Sequence, residues 1–128
     1  MKIFIICPVR KITKKEYAMI GRYVADLEKA GHKAHWPARG DTNQDDPVGL
    51  RICNDNLSAI KYADEIHIWW NKKSSGSLFD FGMAFALGKR IVLINPDLVW
   101  KIIEEENRKG VIKSFNKVVF KLAKRIRQ

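Results

Sequence analysis

Two short apolar runs, Ile66-His67-Ile68-Trp69-Trp70 and Ile91-Val92-Leu93-Ile94, bracket a small-residue loop and a helix-patterned segment, and this spacing constrains the fold more than any other feature of the chain. Near-continuous apolar runs suit strands buried on both faces, as in parallel sheets, and a parallel pair needs a crossover such as a helix. The segment from 66 to 94 therefore reads as a βαβ unit. Ile3 to Cys7, closed by Pro8, is a third such run and reads as a central first strand.

The remaining segments fit the same alternation. Thr13 and Glu16 form a capping-box pattern, and Tyr17, Ile20, Val24 and Leu27 repeat at helical spacing until Gly31. Lys33 to Trp36 reads as a short second strand, and Pro37 to Pro47 as a flexible loop rather than a domain boundary. A helix begins around Val48, with Leu50, Cys53, Leu57 and Ile60 on one side, and gives way at Asp64. Leu98 to Glu106 is helical in pattern and Gly110 breaks it. Ser114 to Arg127 reads as a terminal amphipathic helix with Phe115, Val118, Val119, Leu122 and Ile126 facing the core. The expected architecture is one doubly wound α/β domain over residues 1–128, a three-layer α/β/α arrangement with strand order 2-1-3-4 and a fifth strand near Val111. That order places a crevice between the first and third strands, bringing Cys7, Pro8 and Arg10 beside the loop that follows Trp70.

Composition narrows the functional classes. At 128 residues with 46% apolar and 30% charged residues, the chain is long enough for a core without disulfides or metal and too apolar for disorder. No apolar run approaches the ~20 residues that span a bilayer. Met1 to Pro8 lacks a signal-peptide cleavage site, so a cytoplasmic protein with reduced Cys7 and Cys53 is expected. The net charge of +10 favours anionic partners, whether phosphorylated metabolites, nucleic acid or anionic surfaces. Lys113, Lys117, Lys121, Lys124, Arg125 and Arg127 read as the solvated basic face of the last helix; contact with RNA or DNA is the alternative, but no nucleic-acid fingerprint accompanies them.

The loop Ser74-Ser75-Gly76-Ser77 and the acid Asp80 form the candidate site. Hydroxyls, a glycine and a helix N-terminus suit an anion, and Asp80 can reach back over the loop. Gly82 would permit close helix packing and Gly88 would end the helix. The bland alternative is a capping box of Ser77 with Asp80. No G-x-x-x-x-G-K-[ST] and no G-x-G-x-x-G after the first strand occurs, which excludes a P-loop and a dinucleotide fingerprint. Cys7 lacks the suitably spaced arginine of a phosphatase cradle and reads as a core thiol at the crevice. His32 and His35 fall on opposite strand faces and His67 stands alone, so no metal site is expected. Trp36, Trp69 and Trp70 could stack on a base or pack in the core. Asp55 is a solvated helix acid or a carboxylate for sugar hydroxyls.

The stretch Gly76-Ser77-Leu78-Phe79-Asp80-Phe81-Gly82, followed by Gly88-Lys89 and an apolar strand, resembles the G-[ST]-x-x-E-x-G pattern of the nucleoside 2-deoxyribosyltransferase superfamily, which includes the 2'-deoxynucleoside 5'-phosphate N-hydrolases. The resemblance is strongest over Asn54 to Asn95 and collinear elsewhere. It implies a flavodoxin-like fold, a homodimer or larger homo-oligomer whose subunits complete each other's sites, and no cofactor. In that family the helix glutamate attacks the anomeric carbon and forms a ribosyl-enzyme intermediate. Asp80 stands at the glutamate's position, one methylene shorter, and Asp55 at that of a sugar-orienting acid. Ser74, where the transferases carry an acid, resembles the nucleotide hydrolase branch, and the resemblance implies that Ser74, Ser75, Gly76 and Ser77, with Arg10, hold a 5'-phosphate. An N-glycosidase or deoxyribosyltransferase-like enzyme acting on nucleosides or their 5'-monophosphates is expected. The alternative is a noncatalytic nucleotide-binding module that kept the cradle and lost the glutamate.

Overall fold

A computed structural model describes residues 1–39 and 46–125. Five parallel strands, β1 (Lys2–Ile6), β2 (Lys33–His35), β3 (Glu65–Ile68), β4 (Arg90–Leu93) and β5 (Lys124–Arg125), lie in the order β2-β1-β3-β4-β5. Ile3 pairs with Glu65 and Glu65 with Arg90, so the three central strands run in step. The helices are α1 (Lys14–Lys29), α2 (Leu50–Tyr62), α3 (Ser75–Ala86), α4 (Pro96–Arg108) and α5 (Phe115–Leu122), with a 3₁₀ turn at Pro37–Arg39. This is the expected doubly wound, flavodoxin-like arrangement. No helix among the described residues is long and apolar enough to cross a membrane.

Strand alternation divides the core. Phe4, Ile6, Ile66 and Ile68 pack beneath α2 to α5 against Ile60, Phe81, Val99 and Val119. Ile3 and Ile5 face the other way, against Ile20 and Val24 of α1 with Trp36 and Trp69. On that second face β3 also carries Glu65 and His67, which are buried because they are paired. The Tyr23 hydroxyl bonds His67 Nδ1, His67 Nε2 lies 3.0 Å from Glu65 Oε1, and Arg90 reaches Glu65 Oε2 at 3.1 Å.

Local signals in the sequence act as expected at the helix ends. Thr13 and Glu16 close a capping box on α1. Gly31, Gly88 and Gly110 all have positive φ and follow α1, α3 and α4. In each case the glycine and the next residue return N–H groups to the last turn, as Gly88 to Phe85 and Lys89 to Ala84, which is the Schellman motif. Lys89 then extends its ammonium to the carbonyls of Lys61 and Ala63 at 2.7 and 2.9 Å and caps the end of α2.

The C-terminal expectation is corrected. The last helix stops at Leu122 rather than Arg127, and Lys124 and Arg125 pair with Val92 and Leu93 along the edge of β4. The fifth strand is therefore here and not near Val111, whose N–H instead bonds the Glu106 carbonyl in the α4 cap. Of the apolar positions assigned to this helix, Val119 is fully buried while Phe115, Val118 and Leu122 are 61%, 41% and 41% exposed. Ile126 and Arg127 lie outside the described residues. Of the basic positions, Lys113 precedes the helix, Lys117 and Lys121 lie on it, and Lys124 and Arg125 lie on the strand, so the described ones do not share one helix, and Lys117 is bound to the Val111 carbonyl and Asn107. Gly82 is also corrected: a Cβ there would meet nothing within 4 Å, so close packing does not require it.

Candidate functional site

The loop after β1 and the loop after β3 meet at the carboxyl edge of the sheet, and two asparagines fix their positions. Asn95, at the end of β4, accepts from the Trp70 N–H at 2.9 Å and donates to its carbonyl at 2.8 Å. Asn71 donates to the Lys11 carbonyl at 3.0 Å and accepts from the Lys73 N–H at 3.1 Å, tying the two loops together. Lys72 between them adopts a left-handed conformation with φ of 56°. The loop thus enters α3 at a fixed angle.

Ser74 is the N-cap of α3, and its hydroxyl accepts from the Ser77 N–H at 3.1 Å. The cap is therefore Ser74, not the Ser77–Asp80 pair, which leaves both of those side chains for other work. Ser77 is 4% exposed and its Oγ has no hydrogen-bond partner among the described residues, which costs about 1–3 kcal/mol.

Beside the start of α3 lies a cavity of about 490 Å³. Cys7, Val9, Arg10 and Lys11 line it from the β1 loop; Ile52, Cys53 and Asn56 from α2; Lys73 to Ser77, Phe79 and Asp80 from α3 and its approach. Every expected residue of the Ser74–Ser77 loop is present, with Cys7, Arg10 and Asp80. Pro8 is buried and does not line the cavity. Asp55 does not line it either: it is exposed, and its neighbour Asn56 turns inward and places Nδ2 3.3 Å from Asp80 Oδ2. The helix explains this. Asn56 is one turn from buried Ile60 and from Ile52 and Cys53, so it shares their face, while Asp55 is rotated about 100° away. Lys11 and Lys73, unremarked in the sequence, join Arg10 at the rim, and Val9 and Phe79 add apolar surface, 53% and 54% exposed.

Burial pushes the Asp80 carboxyl up from its ordinary 3.8 to about 6, opposed in part by the Asn56 amide. At neutral pH it is ionised but poorly solvated, the condition of a reactive carboxylate. Cys7 is pushed up to about 11 by burial and by the Asp80 charge, and its sulfur accepts from the Trp36 indole at 3.1 Å. A thiol so held stays protonated and is no nucleophile. Trp36, Trp69 and Trp70 are all buried, and Trp69 and Trp70 donate to Glu16 and Asn116, which places them in the core rather than under a base. Asp80 is the one carboxylate among the described residues lining the cavity.

No sequence-family profile and no curated protein sequence matches the chain. Solved structures share its fold. The CMP N-glycosidase BcmB of Clostridium botulinum superposes with a TM-score of 0.56 at 22% identity, over 73% of this chain and 70% of that one. A 2-deoxyribosyltransferase from Bacillus psychrosaccharolyticus superposes with 0.61 at 18% identity, over 93% and 90%. One from Leishmania mexicana gives 0.53 at 23%, over 72% of this chain and 62% of that one. The fold of this chain is the fold of these glycosyl-transferring and glycosyl-cleaving enzymes.

Proposed function

We propose that the chain is an N-glycosidase or deoxyribosyltransferase-like enzyme of the nucleoside 2-deoxyribosyltransferase superfamily, acting on nucleosides or nucleoside 5'-monophosphates. The observation that carries this reading is Asp80: a half-buried carboxylate with its pKa raised to about 6, in a cavity of about 490 Å³ that it shares with the Ser74–Ser77 loop. Ser74 and Ser75, the Gly76 amide and the unpaired Ser77 hydroxyl meet the 5'-phosphate, with Arg10, Lys11 and Lys73 supplying charge. The sugar then lies over Asp80. Its carboxylate oxygen attacks the anomeric carbon as the bond to the base nitrogen breaks; the electron pair leaves with the base, which takes a proton from solvent. Water, or a second base, attacks the same carbon and releases the carboxylate. Asn56 holds the carboxylate in line, a role assigned here in place of Asp55.

A second reading, a noncatalytic nucleotide-binding module, is favoured by one specific observation: the cavity has a single carboxylate, and two flank the bond in most glycosidases. Chromatography of the purified protein with nucleosides and 5'-monophosphates, with and without a second free base, separates the two readings. Free base from the wild type and none from Asp80→Ala supports the enzyme. Nucleotide binding with no base released from any substrate supports the module.

Assembly as a homodimer belongs to the same proposal. Leu50 and Leu57 on α2 and Phe79 on α3 are 64%, 40% and 54% exposed, apolar side chains on adjacent helices at the side of the cavity.

A further inference from the structure

A second cavity, of about 950 Å³, opens at the carboxyl edge on the far side of the Asn71–Lys73 turn. Lys15, Met19 and Tyr23 from the first three turns of α1 form one wall, and Leu98, Lys101 and Ile102 from the first two turns of α4 form the other. Trp69 and Ile94 close the bottom. The cavity is a bowl that opens at the strand ends and reaches to the third turn of α1, and its size is that of small-molecule sites. The carboxyl ends of parallel strands are also where open α/β sheets bind ligands.

The groups left free decide what fits. The neutral polar groups of the wall are committed: the Trp69 indole to Glu16 at 2.7 Å, both ends of the Asn71 and Asn95 amides to backbone, and the Tyr23 hydroxyl to His67. No pattern of donors and acceptors remains to read a nucleobase or a sugar. The cations are different. The ammonium groups of Lys15 and Lys101 make no hydrogen bond or ion pair among the described residues, and Lys72 and Lys73 share the rim. Glu16 and Asp97 are the acids of the lining, and Glu16 is already bound to Trp69 and Thr13. Between the cations lies apolar surface, with Met19 and Leu98 each 39% exposed. A thioether beside an open apolar floor favours an aromatic ring.

We propose that this bowl is a second ligand site, adjoining the Asp80 cavity at Lys73 but with its own anion-holding groups, that takes a compact aromatic anion: a ring system against Met19 and Leu98 and a carboxylate, sulfonate or phosphate ester on Lys15 and Lys101. The site does not depend on the glycosidase reading.

Anilinonaphthalene sulfonate is a probe of this class, followed by fluorescence and calorimetry. The expected result is one saturable site per chain, weakened on the order of tenfold in Lys15→Glu/Lys101→Glu, two exposed positions whose substitution leaves the thermal melt in place. Binding is expected to be unchanged in Phe85→Ser, which removes apolar surface on α3, and not to be displaced by nucleoside 5'-monophosphates. Naphthalene sulfonate displaces the probe and inorganic phosphate at the same concentration does not. Equal binding by the charge-reversal variant, loss in Phe85→Ser, displacement by nucleotide, or displacement by phosphate alone would each overturn the proposal.

Discussion

Asp80 is held ionised in a place that penalises the charge, and that penalty has two measurable consequences. The folded chain binds the Asp80 proton more tightly than the unfolded one, with about 6 against an ordinary 3.8. The ionised group therefore costs stability at all pH values above about 6, by about 3 kcal/mol from the size of the difference, and the cost fades as pH falls toward 3.8. Asp80→Asn removes it. Urea melts should show the variant more stable than wild type at pH 7.5, by roughly 2–3 kcal/mol, with most of the gain gone at pH 4.5; an equal gain at both would mean that burial is not the cause. The same variant should lose base release by at least about a thousandfold, which sets stability against activity at one residue. Activity needs the ionised form, so kcat/KM should fall on the acid side with an apparent pKa near 6. Asn56→Ala deletes the hydrogen bond that opposes the shift, so its acid limb should move to higher pH. A limb that stays in place would show that Asn56 does not touch the titrating group. The carboxylate at position 80 was legible from the motif that carries it; Asn56 was not, because its significance lies in a helical phase and the nearby Asp55 was the more conspicuous residue.

Elements are positioned here by a few buried side chains, and their failures are instructive. The β3–α3 connection hangs on Asn95, whose amide satisfies both the N–H and the carbonyl of buried Trp70. Asn95→Ala leaves both unpaired, a loss of about 2–3 kcal/mol by chemical denaturation, and base release should drop with it because Ser74 and Asp80 enter through that loop. An unchanged midpoint would assign the loop's position to Asn71 instead. At the other end of the chain, Val119→Ala should cost about 2 kcal/mol while Phe115→Ala, at 61% exposure, should cost under about 0.5 kcal/mol. The reverse order would return Phe115 to the core. The strands and the α1, α2, α3 and α4 helices were readable because apolar runs and glycine stops are local signals. The end of α5 was not readable, since Lys124 and Arg125 continue a helical pattern and become a strand only because β4 offers them an unpaired edge. Contacts between distant segments decide such cases, and periodicity does not carry them.

At the scale of the molecule, two properties pull against each other. The chain carries a net charge of +10, which sets copies apart, and it exposes Leu50, Leu57 and Phe79 on neighbouring helices, apolar area whose burial between copies would oppose that repulsion. Strand order and crevice position followed from the alternation of elements, whereas this surface did not, because Leu50 and Leu57 share the helix side of buried Ile60 and look like core in the sequence. Burying apolar area contributes roughly 25 cal/mol per Å² and is insensitive to screening, while repulsion between like charges fades as the Debye length shrinks from about 10 Å at 0.1 M salt to about 3 Å at 1 M. Association through the α2/α3 surface should therefore strengthen with salt. Light scattering coupled to size exclusion should show a dimer whose monomer fraction at low concentration decreases from 0.05 to about 0.5 M sodium chloride. Leu50→Lys places a charge in the apolar surface and should yield a monomer under the same conditions, with its thermal melt little changed because the residue is 64% exposed in the single chain. Base release then reports whether one copy suffices. Activity retained by the Leu50→Lys monomer would locate the whole reaction in the Cys7, Asn56 and Asp80 cavity of a single chain, and activity lost with assembly would mean that the single carboxylate of that cavity is completed by groups from a second copy.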